Sequence, residues 1–249
     1  MQIMQKTILN AAMIVGLASF ANAGFEENFT KSVQGFAGVE VKVQLKKPLK
    51  SFKNQYFVIG RTQGGDIFPA LVSQEGSYFV ALSNMMNLDK EDSKMIMEEL
   101  RKAENAKEKK DTAALNALFS GFNQEDFIYL RGTGKNLPTH IVVTDPDCPY
   151  CRKQLEEIES ELKEANLKLI FAPVHQKEAF IKAQLAMNQT AKLKADDTKG
   201  KIKILRKFYQ DRKLSKEEMA TDFTQVRKNT DKIFASKVIR GVPFVFEQK

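Results

Sequence analysis

A chain of 249 residues with 43% hydrophobic and 28% charged side chains has the composition of an ordinary globular protein, which excludes a disordered or low-complexity polypeptide. Its formal net charge of +8 would suit an anionic partner, but the lysines alternate with glutamates, as in KEDSKMIMEELRKAENAKEKKD (residues 90–111). That is the pattern of a solvated helix face, and no nucleic-acid partner is expected. Two cysteines are too few for a disulfide-stapled scaffold.

Residues 1–23 carry one lysine, Lys6, an apolar run from Ile8 to Phe20, and Ala21-Asn22-Ala23, a small-x-small cleavage site. They predict a signal peptide removed after Ala23, and with it export to the periplasm. A membrane anchor is the competing reading, but the run falls short of the ~20 apolar residues a span requires and contains Asn10.

Residues 24–86 are expected to form a small antiparallel sheet. VEVKVQL, QYFVIGR, DIFPALVS and SYFVAL are rich in Val, Ile, Phe and Tyr and are separated by TQGG and QEGS turn signals. Pro69 lacks an amide hydrogen, so its strand is expected at an edge or with a bulge. So few residues are not expected to cover both sheet faces, which points to a partner surface. Over residues 87–120 the period becomes helical, with Met95, Ile96, Leu100, Ala103 and Ala106 among alternating charges, and a stiff helical linker is predicted.

Residues 121–249 make up the last region. EDFIYLRG and THIVVTD read as strands, and Leu155, Ile158, Leu162 and Ala165 form one helical stripe behind the cysteines. LKLIFAPV is a further strand, so a strand-helix-strand crossover with parallel pairing is predicted. Residues 177–236 read as an all-helical insertion, and RGVPFVFEQK returns to strand residues. The fold class expected from this order is α+β.

The chemistry concentrates in TDPDCPYC, residues 144–151, where a strand hands over to a helix. The first amides of a helix lack internal partners and carry partial positive charge, so a thiolate placed there is stabilised. Cys148 is expected at that position as an exposed, reactive thiolate, with Pro149 in the first turn and Cys151 one turn further in. Tyr150 lies between them, Arg152 and Lys153 add positive charge, and Asp147 opposes them. Two cysteines at this spacing serve thiol-disulfide exchange, one attacking and the other releasing the mixed disulfide. A zinc site would need further ligands, and His140 and His175 lack the paired spacing of such sites, so no metal and no cofactor is expected. A structural disulfide here would close too small a ring to stabilise much. RGVPFVF places Val242-Pro243 at a strand start, a pattern that fits an ordinary trans proline as well as a cis bond, and together with the strand-CxxC-helix unit before it a cis peptide bond is predicted.

These motifs resemble the DsbC/DsbG family of periplasmic thiol-disulfide interchange proteins over almost the whole mature chain. YFVIGRTQGGDIFPALVSQEGSYFVALSN is similar to the family's cystatin-like dimerisation domain, the charged helix to its linker, and VVTDPDCPYCRK to its active site in a thioredoxin-like domain. DPDCPYC is closer to the DsbG branch than to the DsbC branch. Val242 departs from both, which normally carry Thr there, and resembles the oxidase DsbA. The chain also stops six residues after Pro243, where family members continue through a hairpin partner and a closing helix. The resemblance implies a nucleophile at Cys148, a resolving thiol at Cys151, a substrate-pairing loop at Val242-Pro243 and a homodimer through the N-terminal domain. It further implies unfolded or misoxidised exported proteins as substrates and a membrane redox partner, with isomerase or oxidase activity. A holdase-type chaperone, or a reductase of oxidised single cysteines, is the alternative.

Overall fold

A computed structural model of the protein describes residues 24–82 and 88–248. The expected signal peptide lies outside these residues, as does the expected boundary between residues 86 and 87. The chain divides into two compact units, one ending at Lys110 and the other beginning at Asp111.

The first unit opens with a helix over residues 24–37, α1, where the sequence pattern had announced no element. Phe25, Phe29 and Val33 recur every four residues and are buried against Val41, Val58, Ala70 and Val72. Beneath them lies a four-stranded antiparallel sheet in the order β1-β2-β3-β4, with β1 Val41–Pro48, β2 Gln55–Thr62, β3 Ile67–Ser73 and β4 Phe79–Ala81. Successive strand residues point to opposite faces, so Phe57, Ile59 and Leu71 serve a second core. There they meet Ile96 and Ala103 of α2, Lys90–Ser120. Both faces of the small sheet are therefore covered within the unit, and the expectation that a partner must cover one of them is corrected. The reason is α1, whose apolar stripe supplies the missing cover.

Pro69 also corrects its expectation. Its strand is internal, and its pairing with β2 runs without a register shift. A strand residue's N–H and C=O point to the same side. The Pro69 carbonyl accepts from Leu82 N–H at 2.9 Å, so the missing amide faces the place where β4 stops. A register shift lies on β1, between Val43 and Leu45. Gly76, in the turn after β3, has φ +80, and a Cβ there would lie 2.4 Å from the Phe25 carbonyl. Only glycine lets the turn and α1 approach so closely.

The second unit carries a mixed four-stranded sheet, order β5-β7-β6-β8, with β5 Ile128–Leu130, β6 Thr139–Thr144, β7 Asn166–Phe171 and β8 Phe244–Gln248. β6 and β7 are parallel, while β5 and β8 pair antiparallel to their neighbours. The crossover from β6 to β7 contains α3 (Pro149–Glu156) and α4 (Ile158–Glu164), where one unbroken helix was expected. Glu157 turns the chain between them, yet Leu155, Ile158, Leu162 and Ala165 keep a single buried stripe. Between β7 and β8 stand α5 (Lys177–Thr190), α6 (Thr198–Tyr209), α7 (Lys216–Met219) and α8 (Thr224–Ala235). One sheet face packs Val142, Leu167 and Leu169 against α3 to α6, and the other packs Ile141, Val143 and Ile170 against Leu115, Phe119 and Ile233. This is a thioredoxin-like α+β domain with a helical insertion, preceded by a small antiparallel sheet domain. Among the described residues, no helix is long and apolar enough to cross a membrane.

Candidate active site

The site is built where β6 ends. Cys148 is the N-cap of α3, with extended backbone angles of φ −75 and ψ 122, and Pro149 takes the first turn, where its missing N–H is harmless. No side chain caps this helix start, so its leading amides are left facing the Cys148 side. Cys151 follows one turn in, and the two thiols are unbridged.

The chain supplies the other side of the site 94 residues later. The Val242-Pro243 peptide is cis, and the Val242 carbonyl accepts from the Cys148 thiol at 3.6 Å. Val242 packs its side chain among the apolar groups that include both cysteines. Tyr150 stands 75% exposed between them. The expectation of an exposed Cys148 is corrected, because the residue is only 5% accessible, covered by this loop and its apolar neighbours.

Electrostatics near the pair differ from the linear reading of the motif. Asp147 does not face the sulfurs uncompensated, since its Oδ1 accepts from Arg152 Nη2 at 2.8 Å and from the buried Lys182 Nζ at 2.7 Å. The Arg152 guanidinium also donates Nε to the Pro146 carbonyl at 3.0 Å, which ties the turn before Cys148 to α3. With two cations on one carboxylate, Asp147 is fully compensated. Burial pushes the Cys151 thiol up from 9.0 to about 12, against the opposing hydrogen bonds of the Thr144 hydroxyl and the Asp145 amide. The Thr144 hydroxyl lies 2.7 Å from the Tyr209 hydroxyl, and burial holds the latter well above the usual tyrosine range.

Sequence reasoning missed Thr144, Asp145, Lys182 and Tyr209, and met His175 only as a zinc ligand it rejected. Asp145 is fully buried, with Oδ1 accepting from Asp147 N–H at 2.8 Å and Oδ2 accepting from Val174 N–H at 2.9 Å. His175 Nδ1 lies 2.6 Å from the same Oδ2. Among the described residues, no group of three or more His, Cys, Asp or Glu is placed to hold a metal ion.

Residues 29–115 match the family model described as the disulfide isomerase DsbG N-terminal domain. DsbG from Helicobacter pylori, a solved structure, is 27% identical with a TM-score of 0.52, and the match covers 89% of this chain and 99% of that one. The thiol-disulfide exchange protein alpha-DsbA2 from Wolbachia pipientis shows 13% identity and a TM-score of 0.37 over 55% of this chain and 86% of its own. A linker-deletion variant of Proteus mirabilis ScsC shows 14% identity and a TM-score of 0.33 over 66% and 88%. No curated protein matches the chain. The DsbG N-terminal domain match over residues 29–115, together with a structural match to a DsbG over 89% of this chain, supports the DsbC/DsbG family of thiol-disulfide interchange proteins.

Proposed function

We propose that the protein is a periplasmic, homodimeric thiol-disulfide oxidoreductase that reshuffles disulfides of exported proteins through Cys148 and Cys151. The observation that carries this reading is the Cys148 thiol at an uncapped helix start, facing the carbonyl of the cis-proline loop. In the forward step the Cys148 thiolate attacks one sulfur of a substrate disulfide. A Cys148-substrate mixed disulfide forms, and the other substrate sulfur leaves as a thiolate. That thiolate can attack elsewhere in the substrate and return Cys148 unchanged, which is isomerisation. Alternatively the Cys151 thiolate attacks Cys148 Sγ, so the substrate leaves reduced by two electrons and the enzyme is oxidised to the Cys148-Cys151 disulfide. A membrane redox partner would then restore the dithiol.

The buried, strongly protonated Cys151 thiol supports the isomerase direction, because a resolving group that rarely ionises leaves the mixed disulfide time to rearrange. The family model's own description, a disulfide isomerase DsbG N-terminal domain, agrees with that direction, and the likeness to DsbG supports the homodimer. The test is trapping on a scrambled disulfide substrate. Cys148→Ser is expected to lower exchange by about a thousandfold or more. Cys151→Ser is expected to accumulate mixed disulfides on Cys148. Mixed disulfides accumulating on Cys151 in the Cys148→Ser protein would overturn the assignment, and full chaperone protection with both cysteines replaced, together with no exchange by the parent, would favour a holdase.

A further inference from the structure

We propose that His175 is a positioning residue for the cysteine pair, acting through the buried carboxylate of Asp145. The inference rests on the redox reading above. Asp145 is the residue through which the strand, the cysteine turn and the loop after β7 are joined. Its amide hydrogen-bonds the Cys151 sulfur, its carbonyl accepts from Cys148 N–H at 3.2 Å, and its carboxylate takes three donors, two main-chain amides and the His175 ring. A fully buried carboxylate that lost one of these donors would carry its charge less compensated, on the residue whose backbone meets the Cys151 sulfur and the Cys148 amide.

His175 is the one donor of the three that a side-chain substitution can remove. Its ring is held at 2.6 Å, and its side chain is 42% exposed, so the residue can be exchanged without opening the core. A carboxylate bound at Nδ1 fixes the ring's tautomer and orientation and makes the hydrogen bond a strong one. The direction of the effect follows from charge. Less compensation at Asp145 disfavours a thiolate beside it, which slows attack by Cys148 and weights the redox couple toward the disulfide.

The experiment uses the full-length protein with oxidised and reduced glutathione as the redox pair and iodoacetamide as the thiol probe. His175→Phe removes the donor and keeps a ring. It is expected to slow Cys148 alkylation and to shift the glutathione equilibrium toward the Cys148-Cys151 disulfide by about three- to tenfold, a part of the worth of one charge-assisted hydrogen bond, because the effect reaches the sulfurs only through Asp145. His175→Gln, which keeps an N–H donor, is expected to stay within about twofold of the parent. In an Asp145→Asn background, His175→Phe is expected to add nothing further, because the path of its effect is gone. Equal behaviour of the Phe and Gln variants would overturn the inference, as would a full His175→Phe effect in the Asp145→Asn background. Unchanged thermal melting of both His175 variants would assign the shift to the couple and not to unfolding. A parent whose cysteines never form a reversible disulfide would overturn the redox reading itself, and this inference with it.

Discussion

The two sheets of the molecule have four strands each and bury both faces, but what they bury differs. In the first unit the cores above and below the sheet are apolar, and among the described residues the buried polar side chains are Ser73 and Asp92. Each of these has a local structural task. Ser73 accepts Ser77 N–H within the β3–β4 turn, and Asp92 accepts the amides of Lys50 and Ser51. The second unit buries Asp126, Thr144, Asp145, Lys182, Gln184, Lys201 and Asn229 among others, with Thr144, Asp145 and Lys182 linked to the cysteine turn. Buried polar groups must find partners and so restrict the conformations a core can adopt. The first unit reads as a scaffold, and the second keeps its polarity where the chemistry is.

The comparison breaks most readily at Phe29. Its side chain is fully buried between α1 and the sheet, in contact with Phe68 and Phe79. Phe29→Ala is expected to cost the first unit about 3–5 kcal/mol, the usual range for an aromatic removed from a core. The chain has no tryptophan, so hydrogen exchange read by mass spectrometry is the suitable measurement. Amides of β1 to β3 should exchange far faster while those of β6 and β7 keep their protection. Equal loss in both sheets would show one cooperative unit, and the division of roles would fall.

A smaller effect sharpens the second unit. The Cys151 thiol is held at about 12 in the folded protein against an ordinary 9.0, so the folded form keeps its proton where the unfolded chain has lost it. The contribution is neutral below pH 9 and turns against folding as pH climbs toward 12, amounting to about 1 kcal/mol by pH 10. Urea denaturation followed by circular dichroism should show the reduced protein losing that much more stability between pH 8 and pH 10 than Cys151→Ala does. Parallel losses would mean that the thiol is not held protonated by burial.

How much of this was legible depends on distance along the chain. The cysteine turn is contiguous, and the strand before it and the helix after it have clear periods, so Cys148, Pro149 and Cys151 could be placed from the sequence alone. Val242-Pro243 is a weaker signal, because a proline opening an apolar strand fits a trans bond as well, and only the cysteine turn earlier in the chain tips it to cis. The first helix has a stripe, Phe25, Phe29 and Val33, but it stands directly behind the expected cleavage site, before the strand pattern that marks this region begins. Without it, the small sheet looks bare on one face. The polar network around the cysteines had no local signal at all. His175 meets Asp145 across 30 residues, Lys182 meets Asp147 across 35, and Tyr209 meets Thr144 across 65. A lone histidine or lysine carries no periodicity that would announce such a partner.

The smallest expected effect concerns Val242, whose place before the proline resembles the oxidase DsbA. The group that meets Cys148 is the Val242 main-chain carbonyl, which any residue at this position would supply. The side chain, half-buried, packs into both cores of the second unit. Val242→Thr therefore keeps the contact to Cys148 and exchanges a methyl for a hydroxyl in an apolar setting, at a cost of about 1 kcal/mol if the hydroxyl finds no partner. If the hydroxyl does reach a mixed disulfide, it should lengthen its life and slow oxidation of a reduced substrate, but by no more than about threefold, the worth of one weak neutral hydrogen bond. Quenching the reaction with acid and counting mixed disulfides on Cys148 over time measures this directly. A tenfold or larger change would mean that the side chain, and not the carbonyl, faces the reacting sulfur, and the choice between isomerase and oxidase would then rest on residue 242 more than on the proton held by Cys151.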